Sequence, residues 1–293
     1  MPNPLNQIAY PSFNEMYPNA KNQPFKKRLR EHFRYVVYSF LYRKQCKRLI
    51  DYLNAHPLWI PLFQRGYGFT SLLRVYCDKR FNAQQRLETM LKNLDLMVQY
   101  LGETRCRTLL QQQNICLSQL TDNLRVNLSI NYIDSFEGFF SINLRNQDEQ
   151  RIYDASFTLL EANKLLIASI QGPRYENAAE VVKQATKELH GIRPMFMLMN
   201  VFREFAQQQH WQLLGIPHRY QGKNRLSAKK DIVFNYDEFW RENEGELTGK
   251  YWALPTYIER KSLDEIASKK RSMYRKRYDM LDQMHEAIRH YFA

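Results

Sequence analysis

Apolar residues recur at helical spacing through the first third of the chain and at alternate positions through its middle. The first pattern predicts helix from about Pro24 to Ala55, broken at His56-Pro57. Residues 57–82 are mixed, and Gly66 and Gly68 mark a loop. Asn82 followed by Gln85 has the form of a capping box. Leu87, Met90, Leu91, Leu94, Met97, Val98 and Leu101 then continue at helical steps, with a shorter helix after Gly102. Near Leu120 the period changes. Leu124, Val126, Leu128 and Ile130 alternate with polar neighbours, and Phe140, Ile142 and Leu144 repeat the alternation. Ile152–Leu160 and Lys164–Ile170 read as two more strands, and the short connections imply an antiparallel meander. Two helices follow, Asn177–Leu189 and one starting at Pro194, then strands at Trp211–Ile216 and Asp231–Phe234.

Strands first and a helix-to-strand crossover later predict an α+β chain. Its blocks are an irregular leader (1–24), a helical region (25–118), an α+β domain holding a mixed sheet with flanking helices (119–258), and a basic C-terminal helix (259–293).

Composition narrows the function classes. With 293 residues, 44% hydrophobic and 25% charged, the chain has ample material for a packed core. The apolar stretch Tyr35–Tyr42 contains Ser39 and falls far short of the ~20 residues of a membrane span. The first residues lack the order of a signal peptide. The expected location is cytoplasmic, or peripheral to the inner membrane. Cys46, Cys77, Cys106 and Cys116 form no Cys-x-x-Cys pair and the His residues no metal-binding spacing, so no metal site is expected.

Charge changes the picture more. The net charge is +13 and sits at the two ends. From Lys21 to Ile50 ten basic residues face Glu31 alone, and from Glu259 to Arg277 eight face three acids. Such ends favour anionic partners: a small-molecule anion, a lipid headgroup or a membrane surface. No nucleic-acid-binding motif accompanies them, which ranks nucleic acid low. The aromatics of the first run, Phe25, Phe33, Tyr35, Tyr38, Phe40 and Tyr42, are expected mostly to face the core.

Five words stand out in order: Ile170-Gln171-Gly172-Pro173, Gly191-Ile192-Arg193-Pro194, Tyr236-Asp237-Glu238-Phe239-Trp240, Leu254-Pro255, and Ser268 through Tyr278. Together they resemble the VirK/YbjX family of Gram-negative bacteria. The resemblance spans roughly residues 25–290 and implies virulence, envelope maintenance and resistance to cationic antimicrobial peptides. The strand order also resembles acyltransferases of the GNAT type. That likeness implies a strand feeding a loop of backbone amides, then a helix whose N-terminus receives the pyrophosphate of acyl-CoA. Two turns are candidates, Gln171-Gly172-Pro173-Arg174 and His190–Pro194. Neither carries the Gln/Arg-x-x-Gly-x-Gly/Ala pattern, and each proline removes an amide donor, so the donor stays open between acyl-CoA and another acyl carrier.

The candidate site residues follow. His218, after a predicted strand, is a candidate general base with Asp237 to orient it; the alternatives are a loop histidine and a helix N-cap. Gln171, Gly172, Arg174, Arg193 and Arg219 are candidate anion-binding residues. Lys269, Lys270, Arg271, Arg275, Lys276 and Arg277 form a basic surface on a C-terminal amphipathic helix that either docks on the core or lies in lipid. The leading expectation is an acyl or aminoacyl transferase of the envelope. The alternative is a non-catalytic protein that engages anionic lipid or an envelope-biogenesis partner.

Overall fold

The computed structural model describes residues 7–64, 67–161, 163–222 and 234–292. The N-terminal part is helical: α1 (Phe13–Met16), α2 (Phe25–Leu41), α3 (Arg43–Ala55), α4 (Ile60–Phe63), α5 (Tyr67–Leu73) and α6 (Ala83–Gln112). Within the expected irregular leader, residues 7–24 form α1 and a 3-10 turn, Pro18–Asn22. Ser12 and Glu15 cap α1 reciprocally, and Met16 and Ala20 are buried. The box at the start of α6 forms as expected: the Asn82 amide donates to Gln85 Oε1 and the Gln85 amide to Asn82 Oδ1, both at 3.0 Å. Gly102 interrupts α6 with φ 77°, a left-handed value that glycine adopts without strain. Gly68 lies inside α5, and Gly66 lies outside the described residues.

Among the described residues an eight-stranded sheet runs in the order β1-β2-β3-β4-β5-β6-β8-β7. The strands are β1 (Asn114–Gln119), β2 (Leu124–Ile130), β3 (Phe140–Asn146), β4 (Arg151–Glu161), β5 (Lys164–Gln171), β6 (Gln212–Gly215), β7 (Glu246–Thr248) and β8 (Tyr251–Leu254). The first five form the antiparallel meander. The crossover through α7 (Ala178–Glu188) and α8 (Pro194–Gln208) then makes β6 parallel to β5. β1 and the β7–β8 hairpin were not anticipated, and the expected strand Asp231–Phe234 lies outside the described residues except for Phe234, which is in no strand. A short helix, α9 (Tyr236–Glu242), follows and α10 (Ser268–Phe292) ends the chain.

The apolar alternate positions of β2 to β5 meet helices. Phe202 of α8 packs edge-on against Phe157 of β4, with ring centroids 5.6 Å apart. α10 docks on α8 and β1 through Met284 and Ile288, both fully buried, and Arg289 Nε donates to the buried Glu204 carboxylate at 3.0 Å. Gly215 lets β6 pass close beneath Trp240; a Cβ there would sit 2.6 Å from the indole. α6 is fastened to the sheet by a polar contact inside its apolar stripe. Asn93, fully buried, accepts from the Leu159 amide at 2.9 Å and donates to the Tyr76 hydroxyl at 3.3 Å. The β4–β5 ladder shifts register at Leu159, and Asn93 meets that strand's amide there. Replacing Asn93 by Leu leaves this donor without a partner in an apolar setting. The expected loss is about 1–3 kcal/mol, read from urea unfolding; an unchanged midpoint would show that water replaces the side chain.

Candidate functional site

The polar alternate positions of the same strands form a second face. Ser169 on β5 donates to Glu137 Oε2 at 2.8 Å and shares a 2.7 Å hydrogen bond with Ser156. The Gln171 amide donates to the same Glu137 oxygen, while its carbonyl accepts from Arg174 at 3.2 Å. Glu137 belongs to a short 3-10 turn, Ser135–Glu137, and is almost fully buried. Gln171 is thereby fixed between an acid below and a guanidinium above.

Beside it lies a cavity of about 320 Å³, walled by Arg151, Tyr153, Asp154, Gln171, Gly172 and Arg174 among others. Burial pushes the Asp154 carboxyl above its usual range. Arg151 at 3.5 Å, Ser141 at 3.2 Å and Asn143 at 3.4 Å hold it back. Gly172 sits against the Tyr153 ring, where a Cβ would be 3.1 Å from the phenol. Burial raises the Tyr153 phenol, with the Arg193 charge opposing; Arg193 itself is exposed at the N-cap of α8, outside the cavity wall. Three of the five expected anion-binding residues, Gln171, Gly172 and Arg174, therefore line the cavity beside Tyr153, and Arg193 does not. Arg219 does not join them; its guanidinium lies over Tyr220, 4.6 Å from the ring centroid. Arg151, Tyr153, Asp154 and Glu137 were not singled out in the sequence. The polar alternation of β2 to β5 was the available signal.

His218 and Asp237 do meet, through the backbone. The His218 amide donates to Asp237 Oδ1 at 2.9 Å, and Trp252 Nε1 donates to the same oxygen at 2.8 Å. The imidazole Nδ1 accepts from the Tyr236 amide at 3.4 Å. Asn235, not Asp237, caps α9. The turn before α8 is closed by the C-terminal helix: Arg277 donates to the His190 carbonyl through Nε at 3.0 Å and Nη2 at 2.7 Å. Arg271 likewise donates to the Ile266 carbonyl. Lys269, Lys270, Arg275 and Lys276 stay exposed on the docked helix. At the opposite end of β5 and β6 lies a larger groove, about 1270 Å³, whose lining includes Arg80, Lys92 and Tyr251. Among the described residues no cluster of His, Cys, Asp and Glu could hold a metal ion.

The other unusual surface is α2. Phe25, Leu29, Phe33, Val36 and Phe40 are exposed, Phe25 by 71% and Phe33 and Phe40 by 67% each. Their spacing keeps them within an arc of about 80°. The opposite side packs inward: Tyr35 donates to the Pro11 carbonyl at 2.9 Å, and Glu31 is buried near Arg34 and Arg74. The expectation that the aromatics mostly face the core is therefore corrected. The half-buried tyrosines, which bring hydroxyls, do so, and the phenylalanines face out.

Comparisons with known proteins fit this chain as a whole. A family model described as "Protein of unknown function (DUF535)" matches residues 24–290. An uncharacterized protein of Haemophilus influenzae is 57% identical over 95% of this chain and 96% of its own length. The "Membrane protein LapB" of Mannheimia haemolytica is 33% identical over 75% of this chain and 96% of its own. The "Uncharacterized protein YbjX" of Escherichia coli is 28% identical over 72% and 68% respectively. No solved structure matches. The chain belongs to the DUF535 family, the family of the VirK and YbjX proteins.

Proposed function

We propose that this protein works at the surface of the bacterial envelope, held to anionic lipid by α2. The exposed apolar stripe of that helix carries the reading. A soluble protein rarely leaves so continuous an apolar strip in water without a partner. Lys26 and Arg30 flank it on one side and Arg28 on the other, all exposed, which is the pattern of a helix lying in a membrane interface. Among the described residues no helix is long and apolar enough to cross a membrane. A relative at 33% identity is named a membrane protein, which supports the same setting. The link of the VirK/YbjX resemblance to envelope integrity and cationic-peptide resistance fits a protein that covers or senses anionic lipid.

Burying a phenylalanine side chain in lipid contributes about 1.5–3 kcal/mol. Phe33→Glu together with Phe40→Glu should therefore lower partition onto phosphatidylglycerol vesicles about a hundredfold or more. Both side chains are exposed, so the unfolding midpoint should barely move. Flotation measures the first and thermal melting the second. Binding of the native protein should also weaken as salt rises from about 0.1 M to about 0.5 M. Equal flotation of the native and doubly substituted proteins would refute the reading.

A second reading, acyl or aminoacyl transfer, is favoured by the parallel β5–β6 pair. Their pairing runs from Lys164–Gln212 to Ile167–Gly215, where β6 ends while β5 continues to Gln171. Past that end the buried Tyr236 hydroxyl bonds the β5 backbone, donating to the Ile170 carbonyl and accepting from the Ile170 amide at 3.1 Å each. If a donor enters there, acyl-CoA or an aminoacyl donor raises the melting temperature of the native protein. His218→Ala should then abolish transfer. Neither a shift nor transfer with any donor would remove this reading.

A further inference from the structure

We infer that a row of three arginines on the polar face of the sheet, Arg125, Arg145 and Arg151, together with the cavity beside Arg151, binds a phosphate-bearing ligand, and that the Glu149 carboxylate occupies part of this site in the free protein. This inference does not rest on the membrane reading, since none of these residues belongs to α2.

The row is a matter of register. Arg125 of β2 lies opposite Arg145 of β3, and Arg145 opposite Arg151 of β4. Like charges directly across a ladder are destabilising. A shift of register between Leu144 and Arg145 produces the second juxtaposition; without it Arg145 would face Ile152. Burial, then the neighbouring Arg151 and Arg125 charges, pull the Arg145 guanidinium below its usual range, with Asp154 opposing.

The compensation is thin. Glu149 pairs with Arg125 and, at 3.5 Å, with Arg145. It is more than half exposed and sits in the turn after β3 at φ 61°, a value a non-glycine residue adopts at some cost. Arg151 faces Asp154, whose carboxyl is itself held above its usual range by burial. Arg174 in the cavity wall adds a fourth guanidinium. Four guanidiniums therefore face two carboxylates directly, and the buried Glu137 is reached only through Gln171. Planar guanidiniums side by side match the several acceptor oxygens of a phosphate, and charge-assisted bonds of that kind offset the repulsion in the row. The cavity of about 320 Å³, with Tyr153 and Tyr175 in its wall, has room for a small organic group next to the phosphate.

The test is titration calorimetry on the full chain with two soluble probes, inorganic pyrophosphate and dihexanoyl phosphatidic acid below its micelle concentration. Glu149→Gln removes the internal competitor and should tighten binding about two- to fivefold. Arg151→Gln should weaken it about tenfold or more. Binding of both probes supports a free phosphate ligand, and binding of the lipid probe alone supports a headgroup. Arg145→Gln is the sharper deletion but risks the fold, so Glu149→Gln, on an exposed turn, carries the decision. The inference falls if neither probe binds, or if Glu149→Gln binds no tighter than the native chain.

Discussion

The structure depends on keeping one face of its sheet polar while burying it. Ser129, Ser141, Ser156 and Ser169 stand in register across β2 to β5, and the next row is Asn127, Asn143, Asp154 and Gln171. The serines and all but Gln171 of the second row are buried. Each would cost about 1–3 kcal/mol if left without a partner. The rows meet this demand mostly among themselves: Asn143 donates to Ser129 and to Asp154, Ser141 to Asp154, and Ser156 bonds Ser169. Among the described residues Asn127 Oδ1 is the exception in these rows. A one-residue slip would turn every one of these groups into the opposite, apolar layer. The hydrogen bonds therefore fix the register as firmly as the apolar side does.

That register positions the candidate site. The serine row ends on Glu137 and the asparagine row ends on Gln171, so the loop carrying Glu137 is tied to the end of β5. The third row is the arginines, nearest the rim, where their charges reach water and the corner cavity. A polar gradient thus crosses one sheet face, from buried hydroxyls through amides to guanidiniums. Low-dielectric walls beneath and cations above focus potential on the opening. The same face supplies a rigid floor, so the cations at its edge are held by strands and not by long loops.

Much of this was legible in the chain. The alternation in Leu124–Ile130 and Phe140–Leu144 marked strands with one polar side, and Pro194 and Asn82 marked helix starts by their backbone and capping chemistry. The alignment of the polar positions was not legible, because it depends on turn lengths and on register shifts such as the one that brings Arg151 opposite Arg145. β1 was hidden because it follows α6 with no glycine or proline between them and carries its own register shift at Cys116–Ser118. β7 is exposed at all three residues, so it has no buried alternation to read. The expected pairing of His218 with Asp237 rested on carboxylate–imidazole chemistry alone. Sequence could not distinguish a contact through the imidazole from one through the amide, and the fold uses the amide.

The two basic ends look alike in composition, yet the fold uses them differently. On α10, Arg271, Arg277 and Arg289 are spent inside the molecule, on the Ile266 and His190 carbonyls and the Glu204 carboxylate. They hold a helix whose apolar residues are already buried. On α2 the inward side is provided by tyrosine hydroxyls and by Glu31 with Arg34 and Arg74, so Lys26, Lys27, Arg28 and Arg30 remain exposed beside the phenylalanines. Docking a helix by hydroxyls and one buried acid frees its most apolar residues for another surface. The surrounding cations oppose self-association through that stripe by mutual repulsion, and the same charges attract an anionic surface. Charge and apolar exposure therefore act together on α2, whereas on α10 they are separated into a buried seam and a solvated rim.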